Sequence, residues 1–158
     1  MPRRYICMIM LSIACLSGCR SGQTEPAETP ISPISITSRN LDRIIGMQWT
    51  LEAMLINGNE YPLPEKRPFI KFENDRKITG LAAVNRFFGA IQINEDGAVK
   101  WPAPMGLTRM AGPLERMNLE TTFLSALKQT MSFSLTDMSL RTHTPNPETK
   151  LIFLGSAN

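Results

Sequence analysis

The sequence predicts an α+β domain: a curved antiparallel sheet with one main helix packed against one side or end. Three observations carry the prediction. From Met47 to Trp101, short segments alternate apolar and polar residues, and Gly, Pro, Asn or Asp closes each one. One amphipathic stretch, opened by Gly112-Pro113, follows them. Three further strand-like runs come after it, and strands, one helix, then strands is an α+β order.

The first element is not part of that domain. Arg3 and Arg4 precede an apolar run, Tyr5 to Leu16, broken only by Ser12. The run is shorter than the ~20 residues a membrane-spanning helix needs, and with its basic flank it reads as a secretory signal. It ends in Leu16-Ser17-Gly18-Cys19, which matches the lipobox of bacterial lipoproteins at every position. Small residues let the backbone enter the signal peptidase, and the Cys19 thiol takes the diacylglycerol. Several acyl chains on one residue make a permanent anchor, because a single chain holds only marginally. Arg20 follows the acylated Cys, where an Asp would retain the protein at the inner membrane in enteric-type bacteria. The expected address is therefore the outer membrane, facing the periplasm.

Residues 1–18 are thus expected to be the signal peptide, 19–40 a flexible tether and 41–158 the folded domain. The tether reading rests on Ser, Thr, Pro and Glu enrichment, with Pro26, Pro30 and Pro33 spaced through it. Removing Arg3 and Arg4 from 17 basic residues leaves 15 against 14 acidic ones, a net charge near +1. That is no footprint for nucleic acid. Cys7 and Cys15 fall within the signal, so Cys19 is the only cysteine expected in the mature chain.

Within the domain, Met47, Trp49, Leu51 and Ala53 alternate with Gln48, Thr50 and Glu52, a half-buried strand, and Asn57-Gly58 supplies a strong hairpin signal. Pro62, Pro64 and Pro68 make the next segment loop-like. Phe69 to Glu73 is a strand with Ile70 and Phe72 on one face, and Asn74-Asp75 turns it into Lys77 to Leu81. Phe88 to Ile93 continues as strand, and Glu95-Asp96-Gly97 turns it into Ala98 to Trp101. In the helix, Leu114, Met117, Thr121, Leu124, Leu127 and Met131 form the expected inward stripe. The last strands are Ser132 to Leu135, Met138 to Thr142 and Lys150 to Leu154. Trp49 and Leu124 are expected in the core.

Between two of these strands lies Gly80-Leu81-Ala82-Ala83-Val84-Asn85-Arg86-Phe87-Phe88-Gly89, and further on Thr108-Arg109-Met110-Ala111. These two motifs, in this order and with a helix after them, resemble the META domain, the family of the HslJ-like heat-shock lipoproteins of bacteria. The resemblance covers about residues 44 to 154. It implies a half-open, barrel-like sheet that opens on a Trp-x-Leu strand and a tight turn, as Trp49 to Leu51 and Asn57-Gly58 do here. It marks Gly80, Asn85, Arg86, Gly89, Thr108, Arg109 and Met110 as the family-motif residues. They form either a shared surface site or a structural device, in which Asn85 and Thr108 satisfy buried backbone groups at strand ends while the arginines lie across the sheet or pair with carboxylates. The structural reading is preferred, because motif Asn and Gly beside strands usually fix turns. Many META domains carry Cys where this chain has Val84, and a second Cys where it has Gly112. Both have changed together, as the loss of a disulfide or cysteine pair would require.

Chemistry-bearing residues are sparse. His143 is the single histidine, in a polar run read as an exposed loop. Metal sites want several converging ligands, and nucleophilic sites want a base beside the nucleophile. No catalytic residue, metal or cofactor is therefore assigned. The expected function is a non-enzymatic envelope lipoprotein, held to the membrane through Cys19, that binds an envelope protein or cell-wall partner and supports integrity under stress. The alternative is a carrier or chaperone for an apolar ligand or lipoprotein partner in the concave face of the sheet, by analogy with the half-open barrels of secretion pilot lipoproteins.

Overall fold

The alternation around Trp49 and Leu51 produces the longest strand, and the sheet is laid out on either side of it. The computed structural model describes residues 32–156. The expected signal peptide, Cys19 and the expected tether as far as residue 31 lie outside the described residues. In chain order the elements are β1 (Ile34–Ser35), a 3-10 turn (Leu41–Arg43), β2 (Gln48–Ile56), β3 (Asn59–Glu60), β4 (Phe69–Phe72), β5 (Lys77–Leu81), β6 (Arg86–Ala90), β7 (Gln92–Ile93), β8 (Val99–Lys100), β9 (Gly106–Leu107), α1 (Leu114–Lys128), β10 (Ser132–Thr136), β11 (Ser139–His143) and β12 (Lys150–Ser156). The main sheet runs β1-β10-β11-β12-β2-β4-β5-β6-β9, with β3 on β2, while β7 and β8 form a separate ribbon. The end strands β1 and β9 do not pair, so the sheet stays open. This is the α+β architecture the sequence predicts.

Local chemistry accounts for the turns. Asn57 (φ 51°) and Gly58 (φ 78°) are both left-handed, as a type I′ hairpin demands, and Asn and Gly tolerate that region best. Gly97 (φ 83°) does the same between β7 and β8.

The inward face of β2 departs from the expected alternation. Leu51 lies opposite Phe153 and Ala53 opposite Ile152, so Glu52 is an extra residue in that pairing. This bulge reverses the phase of the strand. Met54, not Ala53, is therefore buried beside Trp49 and Leu51. The indole N–H of Trp49 is satisfied by the Ile44 carbonyl at 2.9 Å.

The helix begins one residue later than expected. Pro113 holds the cap position with extended ψ, and Leu114 is the first helical residue. Its inward stripe is also rotated. Leu119, Glu120, Phe123, Leu124, Ala126 and Leu127 are buried, whereas Leu114 is 75% exposed and Thr121 is exposed. Phe123 is the anchor, its ring edge-on to Phe87 and to Phe153, with centroids 6.3 Å away in each case. Phe72 and Phe133 meet edge-on at 5.5 Å elsewhere in the core. Such pairs contribute about 0.5–1.5 kcal/mol each beyond burial itself.

The expected tether boundary at residue 40 also moves. Ile34–Ser35 pair with β10, the Ile36 N–H bonds to the Phe133 carbonyl at 2.9 Å, and Ile36 is fully buried. Backbone pairing to an edge orders this segment, and two residues leave no alternation to read.

Candidate functional site

Asn85 stands at the turn from β5 to β6, where the Ala82 N–H closes the loop on the Asn85 carbonyl at 2.9 Å. The side chain is 3% exposed, so every polar atom on it needs a partner. Its Nδ2 donates to Glu120 Oε1 at 2.9 Å and to the Met110 carbonyl at 3.1 Å. Its Oδ1 accepts from the Met110 N–H at 2.7 Å and the Thr108 hydroxyl at 2.9 Å. Two donors and two acceptor positions are all an amide side chain has. None is left for a ligand.

Glu120 completes the arrangement from α1. Its Oε2 accepts the Val84 N–H at 3.2 Å and the Asn85 N–H at 2.7 Å, and the residue is 5% exposed. Thr108 then locks the two motifs edge to edge. Its hydroxyl accepts the Arg86 N–H at 3.1 Å, and its own N–H donates to the Arg86 carbonyl at 3.0 Å. Turn, loop and helix are thereby held by one hydrogen-bonded network, buried at Asn85 and Glu120. Glu120 was not among the expected site residues. Its signal was a carboxylate three residues before Phe123 and four before Leu124, on the face that the sheet covers.

The motif glycines are required for space rather than for unusual dihedrals, since neither has positive φ. A Cβ on Gly80 would lie 2.1 Å from the Phe69 carbonyl oxygen and 2.6 Å from the Phe87 ring. One on Gly89 would press on Met105 at 3.1 Å. Gly112 meets Val84 in the same way. A Cβ there would be 2.6 Å from Val84 Cγ2 and 3.4 Å from its Cβ. The two positions that the family resemblance pairs are thus in contact.

The remaining motif side chains face outward. Arg86 and Arg109 are exposed, and the ion pairs among the described residues lie elsewhere, at Arg39–Glu95, Arg67–Glu52 and Arg76–Asp75. Beside them opens a cleft of ≈ 690 Å³. Phe88, Met105, Leu107, Met110 and Met117 line it, with Asn85 and Glu120 at its floor. Phe88 is 57% exposed, and its ring lies across Gly106, where a Cβ would come within 2.3 Å of it. The cleft therefore mixes apolar side chains with polar groups, the Arg109 guanidinium among them.

His143 is exposed, as expected, but it ends β11 rather than lying in a loop. Its Nε2 meets the Ser134 hydroxyl at 2.8 Å across β10. Among the described residues no acidic group bonds the imidazole, and neither residue lines the cleft. Among the described residues, no three His, Cys, Asp or Glu side chains converge as metal ligands would, and no helix is long and apolar enough to cross a membrane.

The META domain family model matches residues 42–157. No curated protein matches. A protein from Burkholderia xenovorans, solved by NMR, superposes with a TM-score of 0.64 at 19% identity, covering 85% of this chain and 98% of its own. A second NMR structure gives a TM-score of 0.53 at 23% identity, covering 72% of this chain and 92% of its own. At these identities the two structures speak for the fold alone.

Proposed function

This chain belongs to the META domain family, and from that membership we propose an HslJ-like envelope protein, lipid-anchored through Cys19 and facing the periplasm. Its work is non-enzymatic, binding a protein or cell-wall partner and supporting envelope integrity under stress. One observation carries the binding role. The polar side chains of Asn85 and Thr108 from the motif, and of Glu120 from α1, spend their hydrogen bonds on one another and on nearby backbone. What reaches solvent beside them is Arg86, Phe88, Leu107, Arg109 and Met110. Such side chains recognise a partner through charge and apolar contact, and Arg with large apolar groups is the composition of binding surfaces. Leu16-Ser17-Gly18-Cys19 supports the anchor.

The test has two arms. Metabolic labelling with a fatty acid should mark the wild-type chain and not Cys19→Ser; a labelled variant contradicts the anchor. In-cell crosslinking from Phe88 or Met110 should give a discrete adduct, and the same crosslinker on exposed Lys150 should not. Equal yields from both positions would contradict a partner surface at the cleft.

A further inference from the structure

The cleft adjoins the end of the sheet. β9 pairs with β6 alone, and nothing in the sheet follows it. In that pairing Phe87 lies opposite Leu107 and Phe88 opposite Gly106, while the Thr108 N–H bonds to the Arg86 carbonyl. Thr108 and Gly106 therefore direct their backbone groups at β6. Alternation then turns the N–H and C=O of Leu107 away, toward the open edge. An edge with unspent backbone groups is a template for another strand. Natural edges are commonly protected by shortness, charge, proline or a covering element; β9 is short, two residues, but exposed Leu107 lies on it and exposed Met110 just beyond it.

The exposed Arg86 and Arg109 put positive charge beside that edge. Arg86 and Arg109 take no part in the ion pairs among the described residues. Glu120, the one carboxylate lining the cleft, has its oxygens filled by Val84 and Asn85. Resting on the reading of this cleft as a binding surface, we infer that β9 accepts an extended, acidic peptide segment of a partner protein. The segment adds as a strand against Leu107, sets an apolar side chain between Phe88 and Met110, and brings a carboxylate to Arg86 and Arg109. Strand addition draws affinity from main-chain bonds and specificity from alternate side chains, and this edge supplies both. A concave, edge-bordered cleft fits an extended chain better than a bilayer surface.

The test is selection of a phage-displayed random peptide library on the purified full-length chain in detergent. Enriched peptides should alternate apolar residues with Asp or Glu and lack a central proline. Leu107→Pro removes the outward N–H without touching a bond to β6, so it should weaken the selected peptides by roughly tenfold or more at an unchanged melting temperature. If Leu107→Pro lowers the melting temperature, Arg86→Ala with Arg109→Ala serves instead, with a comparable loss expected. Enrichment of basic or uncharged sequences, or undiminished binding by these variants, overturns the inference. So does an empty selection; adsorption to phosphatidylglycerol vesicles, or a dimer in sedimentation that Leu107→Pro dissolves, would then name the occupant instead. Because the selection uses purified protein, its outcome is independent of whether Cys19 is acylated in cells.

Discussion

Asn85 and Arg86 are adjacent in the chain and opposite in use. One is sealed inside, with all its hydrogen-bonding capacity taken by Glu120, Thr108 and Met110. The other projects to solvent from the first residue of β6. The second motif divides the same way. Thr108 turns its hydroxyl to Asn85, and Met110 contributes its backbone while its side chain stays exposed. A motif of this kind is therefore two devices interleaved at single-residue spacing, a clip that fixes the backbone and a set of side chains that the clip presents. Alternation in β6 carries the division onward, with Arg86 and Phe88 outward and Phe87 buried between them.

Substitutions can pull the two devices apart. Asn85→Asp places an oxygen where Nδ2 now donates, 2.9 Å from Glu120 Oε1. Two buried carboxylates without a bridging proton should cost about 3–5 kcal/mol, seen as a large drop in the urea midpoint. The double change Val84→Cys with Gly112→Cys should convert the clip's flank into a covalent one. The Cβ positions are 3.4 Å apart, close to the ~3.5–4.5 Å of a disulfide. Closing that loop should raise stability by about 2–4 kcal/mol, less any strain, and thiol alkylation with Cys19 removed should find no reactive thiol before reduction. Two freely alkylated thiols would place the positions apart.

Glu120→Gln is a finer probe. Both carboxylate oxygens accept N–H groups, so either orientation of the amide sets its NH₂ against a donor. A loss of about 1–3 kcal/mol follows, with the helix content retained by circular dichroism. At the other extreme, Arg86→Ala with Arg109→Ala should shift stability by no more than about 0.5 kcal/mol, because exposed positions outside any network rarely matter. A loss comparable to that of Asn85→Asp would show that the arginines belong to the clip.

Much of this was legible in the sequence, and the gaps have physical causes. The Asn57-Gly58 hairpin, β4, β5 and α1 announce themselves through turn chemistry and periodicity, and of the motif residues Asn85, Thr108 and Met110 meet in one network. Met54 was hidden because a bulge at Glu52 reverses the face of β2. β1 and β9 have two residues each, too few to show a period, and are ordered by pairing alone. Leu114, apolar yet exposed at the helix start, draws the apparent stripe away from the buried face. With the stripe drawn through Leu119, Phe123 and Leu127, Glu120 falls on the buried side, and a carboxylate there demands partners. Those partners lie 35 and 36 residues away, a distance no local pattern spans.

The division of the motif into clip and surface is tested most directly by a double-mutant cycle between Asn85→Ala and Glu120→Ala, read by urea denaturation. Three hydrogen bonds join the two segments through these residues, one of them between the two side chains. The paired loss should fall short of the two single losses together by about 1 kcal/mol or more, as residues of one network do. The same cycle between Arg86→Ala and Glu120→Ala should be additive. Additivity in the first cycle, or coupling of equal size in the second, would contradict the account.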